Sequence, residues 1–294
     1  MLLSELGVVM ARWFSSNVLG LFLCLAPYPA LCAEPSAIEL AAAHEAQERG
    51  AQMFGYDQAA WHATDRFQAD LKAVGKTVSD PELALAGYIV EPADAGRLLV
   101  SFYAGQGADT RARARYFFDP RKGLEGGVEG GGLAVDADAA MSPLALRMIA
   151  ARRIALDQAA KPGHGLCSTS LPNSLILPPG SDGRISVYVL TSTSDPDVYP
   201  AGGHYRFDIA ADGSLAAERG FMKSCFPIDL RKIQDKKPAA MVLSHLLDPQ
   251  PTEIHAFVSR NIPVRLMILT TSNRLIWSVA NGTVQFVDEV RPRK

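Results

Sequence analysis

The chain has 294 residues, of which 48% are hydrophobic and 20% are charged, and its formal net charge is -2. This composition is ordinary for a globular protein with a hydrophobic core. A net charge so close to zero gives no general attraction to nucleic acid or to an anionic membrane, so we predict neither as a partner. The length fits one large domain or two small ones.

The first 33 residues have the features of a signal peptide. Arg12 precedes an apolar run at 18–26, which is far shorter than the roughly 20 residues that a membrane span needs. We predict cleavage after Cys32 or Ala33, with Met1 or Met10 as the start. The mature protein is then periplasmic or secreted and has no membrane span.

Export changes the interpretation of the cysteines. Cys167 and Cys225 remain in the mature chain, and both lie in loop-like sequence beside predicted strands. Because exported proteins meet oxidising conditions, we predict a Cys167–Cys225 disulfide. A zinc site or a reactive thiol is the alternative, but no second CxxC and no usual Cys–His spacing accompanies these cysteines.

The predicted mature chain begins with helices. Ser36 and Glu39 have the spacing of a capping box, which predicts a helix to about Arg49. Gly50 weakens the next turn, and apolar residues at helical spacing predict a second helix over 57–74.

A three-stranded meander follows, with predicted strands at 88–91, 97–104 and 111–118. The glycine-rich stretch 123–132 is predicted to be a flexible loop.

Three arginines share one face of the third predicted strand: Arg111, Arg113 and Arg115. Such a stripe could bind an anionic partner, such as an envelope polysaccharide or an acidic protein surface. The alternative is a solvent-exposed face, or protection of a sheet edge against aggregation.

Ser142 and Pro143 are a favourable N-cap and first residue for a helix over 142–161, which ends at Pro162. Arg152 falls within the apolar face of this helix. A guanidinium there needs a carboxylate partner, supplied either by the fold or by a ligand.

The central segment predicts antiparallel strands at 185–193, 204–210 and 214–221, with a tight turn at Asp212-Gly213. The middle strand alternates: apolar side chains on one face are Tyr205, Phe207 and Ile209, and ionisable ones on the other are His204, Arg206 and Asp208.

A short helix is predicted over 239–246, followed by strands at 253–259, 264–271, 274–280 and 283–287. The whole pattern predicts an α+β fold, in which antiparallel β-meanders and a central β-hairpin pack against two or three helices. Residues 34–294 form a single domain, or two lobes, 34–165 and 166–294.

The candidate catalytic residues are Glu253, His255 and His204. On a strand, Glu253 and His255 face the same side, and with His204 and Asp208 they could form an acid–base pair or a metal site. The alternative is that they are ordinary polar positions on a solvated sheet face. His164 is a weaker addition.

No cofactor motif is present, so we predict no cofactor. Residues 75–77 (GKT) lack a glycine-rich phosphate loop, residues 44–45 (HE) lack the second histidine of HExxH, and GxSxG does not occur.

The segments YVLTSTSDPDVYPAGGHYRFDI (188–209) and PTEIHAFVS (251–259) resemble uncharacterised exported proteins of Gram-negative bacteria. The resemblance lies mainly in the C-terminal part of the chain. It implies no activity, so no catalytic residue is carried over from it.

Two functions follow as hypotheses. The first is a non-enzymatic protein that binds a partner, such as an inhibitor or accessory factor of another envelope protein. The alternative is a hydrolase or metal-dependent enzyme, with Glu253 as general base and His204 and His255 as ligands or acid.

Overall fold

The computed structural model describes residues 34–122, 127–133 and 139–290. The predicted signal peptide, 1–33, lies outside the described residues. All of the described residues belong to one compact unit, Ala33–Lys294.

Helices and mainly antiparallel sheets make up the described chain, which confirms the predicted α+β class. The helices in the described ranges are α1 (Ala37–Ala73), α2 (Pro143–Ala159), α3 (Leu230–Lys236) and α4 (Glu253–Asn261).

The first helix is continuous where the sequence predicts an interruption. Its capping box is present, with the Ser36 hydroxyl accepting the Glu39 amide at 3.2 Å. The predicted break after Arg49 is wrong, because Gly50 lies where α1 crosses α4. A Cβ at Gly50 would lie 2.6 Å from the Cβ of Ala256, so close helix packing requires this glycine.

The first sheet has the order β1-β2-β3-β4, is antiparallel, and has β5 paired to β3. Its strands are β1 (Leu85–Pro92), β2 (Leu98–Ala104), β3 (Arg111–Phe118), β4 (Val128–Leu133) and β5 (Ala139–Ala140). The predicted three-stranded meander is confirmed.

The glycine-rich stretch is only partly a loop. Residues 123–126 lie outside the described part of the chain, but β4 begins at Val128 and pairs with β3. Gly131 has a φ of +81°, and a Cβ there would overlap the carbonyl group of Arg115. The prediction of a loop over 123–132 is therefore wrong for β4, because these glycines allow close pairing with β3.

The second sheet contains the predicted hairpin and has the antiparallel order β10-β9-β7-β6. Its strands are β6 (Asn173–Ile176), β7 (Ile185–Leu190), β9 (Tyr205–Ile209) and β10 (Leu215–Gly220). A two-stranded ribbon, β8 (Val198–Pro200) with β11 (Pro227–Asp229), lies beside it in sequence.

The predicted disulfide is confirmed. Cys167 and Cys225 are bonded, and their Cα atoms are 5.4 Å apart. Cys167 lies in the segment between α2 and β6, and Cys225 lies in the segment that follows β10. The bond therefore attaches the α2–β6 connection to the end of the β9–β10 hairpin.

The third sheet has the order β12-β13-β14-β15. Its strands are β12 (Met241–His245), β13 (Leu266–Thr270), β14 (Leu275–Ala280) and β15 (Thr283–Glu289). Two predictions are wrong here: 239–246 contains a strand instead of a helix, and 253–259 is helical instead of extended. Because α4 connects β12 to β13, these two strands pair in parallel.

Two hydrophobic clusters cover opposite faces of the second sheet. One contains α2 residues, such as Met148 and Ala151, with Phe207 and Ile209 of β9. The other contains residues of α1, α4 and all three sheets, including Tyr188 of β7. The second sheet is therefore covered on both faces, and its ionisable face is not solvated.

Candidate functional site

Three cavities have some of the candidate side chains in their walls: His204 in the first, Asp208 in the second and His255 in the third. The aromatic cavity, of about 350 Å³, lies among α1, β1, the β6–β7 region, β8 and α4. The charged cavity, of about 430 Å³, lies beside α1, β7 and β9. The histidine cavity, of about 230 Å³, lies beside β12 and α4.

The aromatic cavity combines five rings with nine polar side chains. The rings are Tyr56, Trp61, Tyr88, Tyr199 and Phe257. The polar side chains in its wall are Asp57, Thr64, Asn173, Ser174, Thr191, Ser192, Thr193, His204 and Asn261. Positions 57, 61 and 64 follow one another on one face of α1, because residues three or four apart are neighbours on a helix.

Asp57 is the acidic group of this cavity. Burial raises the pKa of its carboxyl to about 6, although the neighbouring Gln58 amide favours the charged form. Among the described residues, no lysine, arginine or histidine lies within ion-pair distance of it. Burial, together with the negative charge of Asp57, raises the pKa values of Tyr88 and Tyr199.

His204 lies in the wall of the same cavity and has two internal partners. The Thr191 amide donates to Nδ1 at 3.1 Å, so Nε2 carries the proton and donates to the Pro200 carbonyl at 3.0 Å. Burial lowers the pKa of His204 to about 4, so the ring is neutral at neutral pH. The preceding Gly203 is tight against the Sγ of Cys167, which places the disulfide next to this wall.

Glu253 belongs to a buried ion-pair network between β9 and α4. Arg206 donates from Nη1 to Glu253 at 2.6 Å and from Nε to Asp208 at 3.2 Å. The Tyr188 hydroxyl donates to the same Glu253 oxygen at 3.1 Å. Burial by itself would lower the pKa of Arg206, but Glu253, Tyr188 and Asp208 together outweigh burial and raise that pKa.

The network continues to the charged cavity. Ser186 donates to Asp208 at 2.7 Å, and Arg49 of α1 donates to Ser186 at 3.3 Å. Asp208 is only 8% exposed and Glu253 only 5%. The alternative of a solvated polar face is therefore wrong, because α1 and α4 cover these groups.

His255 occupies different surroundings, beside the histidine cavity. The amide of Thr252, the N-cap residue of α4, donates to its Nδ1 at 3.0 Å. Burial and the nearby His245 lower the pKa of His255 to about 3. The His245 ring lies 4.7 Å from that of His255 and donates from Nε2 to Asp248 at 2.9 Å.

The structure does not bring the three candidate catalytic residues together. Because α4 is a helix, residues two apart point about 200° away from each other, and Glu253 and His255 contact different groups. His204 is in the wall of another cavity. Within the described residues, no group of three or more His, Cys, Asp or Glu side chains could hold a metal ion. His164, the weaker addition, lies 3.6 Å from Glu218 instead.

Arg152 does not have the predicted internal carboxylate. Its Nε donates to the Ser174 hydroxyl at 2.7 Å, and no Asp or Glu of the described chain lies within ion-pair distance of it. Its charge lowers the pKa of Tyr88, in opposition to Asp57. Arg152 is half-buried behind Ser174 and is not part of the cavity wall.

The arginine stripe lies on an interior strand. Arg111 donates to the Ala108 carbonyl at 2.7 Å, Arg113 to Leu83 at 3.2 Å, and Arg115 to Ala140 at 2.7 Å. Because β3 lies between β2 and β4, protection of a sheet edge is not its role. An anionic partner for the stripe stays a prediction.

The aromatic cavity is the site that sequence reasoning missed. The helix predicted over 57–74 contains Asp57 and Trp61, but neither is among the candidate site residues. One signal is available in the sequence: Asp57 neighbours the apolar position Ala60 on the predicted helix, as Arg152 neighbours apolar positions on its own helix.

Comparisons with protein-family models, with curated proteins and with solved structures find no match. The resemblance to exported proteins therefore stays a prediction. No helix in the described ranges is both long enough and apolar enough to cross a membrane.

Proposed function

We propose that this chain is an exported, non-enzymatic binding protein of the cell envelope, and that its ligand occupies the aromatic cavity. The observation that carries the proposal is the composition of that cavity, in which one carboxylate and several amides and hydroxyls lie among five aromatic rings. A concave site of this size, in which aromatic rings and polar groups converge, is typical of small-molecule binding.

Export is supported by the Cys167–Cys225 disulfide, because such bonds persist mainly in oxidising compartments. The predicted signal peptide at 1–33 points to the same compartment. The proposed location is therefore the periplasm or the outside of the cell.

The enzymatic alternative has less support from the geometry. His204 and Glu253 each have two internal partners, and His255 caps α4, so these groups already serve the fold. Binding requires no such group to be free, and the aromatic cavity offers a carboxylate that has no cationic partner among the described residues.

Thermal denaturation in the presence of a library of small molecules tests the proposal. A ligand that binds only the folded state raises the melting temperature, and the increase grows with the logarithm of ligand concentration over Kd. We expect at least one compound to stabilise the wild type and to be recovered chemically unchanged. Thr64→Trp places a large ring at a position in the cavity wall and so fills part of the cavity; it should abolish that stabilisation.

Asp65→Trp is the matched control, because it adds the same ring at the next position of α1, which is exposed. It should preserve ligand stabilisation. Stabilisation that survives Thr64→Trp, or a library in which nothing stabilises the wild type, would contradict the proposal.

A further inference from the structure

Asp57 gives the aromatic cavity its net charge. None of the described residues in the cavity wall is a lysine or arginine, and His204 is neutral because both of its nitrogens are engaged by the backbone. With its pKa near 6, the Asp57 carboxyl is ionised at neutral pH. The wall therefore carries one negative charge and no positive charge.

A charge removed from water is normally paired, because its desolvation is costly. The described residues supply no cation to Asp57. Arg152 is close enough to lower the pKa of Tyr88, a residue of the wall, but Arg152 itself lies outside the wall. An anionic ligand would be repelled by Asp57 and would find no counter-charge. A cationic ligand would supply the missing partner.

The rings favour the same ligand class. The face of an aromatic ring is electron-rich, so it attracts a cation that lies within about 6 Å of its centre. Trp61, which is 58% exposed, lies in the wall together with the more buried Tyr88 and Phe257. Alkyl groups attached to an ammonium nitrogen would pack against such rings.

We propose that the aromatic cavity binds an organic ammonium ion, with the charged nitrogen paired to Asp57 and its carbon substituents against the aromatic rings. This inference rests on the proposed binding function and adds the chemical class of the ligand. A neutral polar ligand, such as a sugar, is the competing outcome.

Trp61 provides the readout. Tryptophan fluorescence of the purified, disulfide-bonded protein is measured during titration with choline, ethanolamine, N-acetylglucosamine and 3,3-dimethyl-1-butanol, the neutral carbon isostere of choline. We expect a saturable change with choline or ethanolamine, and affinity for the isostere at least about tenfold weaker than for choline. Trp61→Phe should remove the signal, which assigns it to the cavity and not to the buried Trp277.

Asp57→Asn keeps the shape of the side chain and removes its charge. We expect it to weaken binding of the ammonium probe at least about tenfold without lowering the melting temperature. Asp65→Asn, an exposed position of the same helix, should leave the affinity unchanged.

In the wild type, affinity for the ammonium probe should fall as the pH drops below about 6, because protonation removes the charge of Asp57. In Asp57→Asn this pH dependence should disappear.

The outcomes separate the two proposals. If 3,3-dimethyl-1-butanol or N-acetylglucosamine binds as well as the ammonium probes and Asp57→Asn has no effect, the ligand class is wrong and the binding function stands. If neither ammonium compound binds at millimolar concentration, the inference is overturned, and the small-molecule library decides the proposed function. Choline binding that persists in Thr64→Trp would place the site elsewhere and contradict both.

Discussion

Among single residues, two glycines of α1 show how differently one residue type can act in one helix. A Cβ at Gly50 would lie 2.6 Å from Ala256 Cβ and 2.9 Å from the Glu253 carbonyl oxygen of α4. A Cβ at Gly55 would meet nothing within 4 Å. Gly50 is thus required by packing, whereas Gly55 only weakens the helix.

Alanine at the two positions should therefore have opposite effects on stability. We expect Gly50→Ala to lower the free energy of unfolding by about 1–3 kcal/mol through overpacking. Gly55→Ala should raise it by about 0.5–1 kcal/mol, because alanine favours the helix. Urea denaturation of both variants gives the two values. Equal effects at the two positions would contradict the close contact of α1 with α4.

His255 should make stability depend on pH. Its pKa is about 3 in the folded protein and about 6.5 in an exposed chain, so the unfolded state binds more protons between these values. Stability from this residue is therefore complete above about pH 6.5 and is lost as the pH falls towards 3, by up to about 1.4 kcal/mol per pH unit.

His255→Gln tests this dependence, because glutamine still offers an acceptor to the Thr252 amide but does not titrate. The free energy of unfolding, measured by urea at several pH values between about 4 and 7, should fall less steeply in the variant. His204 and Asp57 titrate in both proteins and cancel in the comparison. If the free energy of unfolding falls equally steeply with pH in the wild type and in His255→Gln, His255 is not the source of the pH dependence.

Between elements, the contact of β9 with α4 depends on Glu253. Its carboxylate holds Arg206 and accepts from Tyr188, and all three side chains are largely removed from water. Removing one partner of a buried ion pair leaves the other charge uncompensated. The resulting loss in the free energy of unfolding is larger than the net stabilisation that the intact pair provides.

We expect Glu253→Gln to lower the free energy of unfolding by about 2–4 kcal/mol, because Arg206 then loses a charged partner. Tyr188→Phe removes one hydrogen bond and leaves the ion pair, so it should cost about 1 kcal/mol. Urea denaturation at neutral pH measures both. A larger loss for Tyr188→Phe than for Glu253→Gln would show that the ion pair is not the main contribution.

The same helix α4 shows where sequence reasoning ends. In residues 253–259, Ile254 and Val258 fit a strand with period two and also a helix with period near 3.6. Every residue from Glu253 to Ser259 is buried, so no exposed face distinguishes the two. Strands with clear alternation and turn residues, such as β9 with Gly213, were predictable because local chemistry determines them.

The site was less predictable than the fold. Asp57 and Trp61 come from one helix, but Tyr88 and Tyr199 come from distant strands, and no sequence spacing relates them. His204 is a catalytic candidate in the sequence, and the structure places it in a cavity wall with two backbone partners. Its partners, a backbone amide and a backbone carbonyl, carry no residue-type signal, so its structural role could not be inferred.

At the scale of the whole molecule, the Cys167–Cys225 disulfide is a covalent constraint on the unfolded chain. It joins residues separated by 58 positions, and the chain-entropy estimate for a loop of this length is about 4 kcal/mol. We expect Cys167→Ser with Cys225→Ser to lower the free energy of unfolding by about 2–4 kcal/mol. Urea denaturation measures the loss, and reduced wild-type protein is the control, which should match the double variant.

Compartment is tested separately by non-reducing peptide mapping of protein taken from the periplasm. The peptides that contain Cys167 and Cys225 should be recovered as a linked pair. Two freely alkylated thiols would contradict the proposed export.

The long first helix also affects when the fold can be completed. Glu39 accepts from the side chain of Asn273, and Gln47 accepts from the amide of Val284, so α1 depends on partners that lie 234 and 237 residues further along the chain. Contacts between residues so distant in sequence slow folding, because long loops must close before any contact stabilises the chain. The proposed export requires a chain that is still unfolded when it crosses the membrane, and a helix whose partners lie more than 200 residues further along the chain is consistent with that requirement.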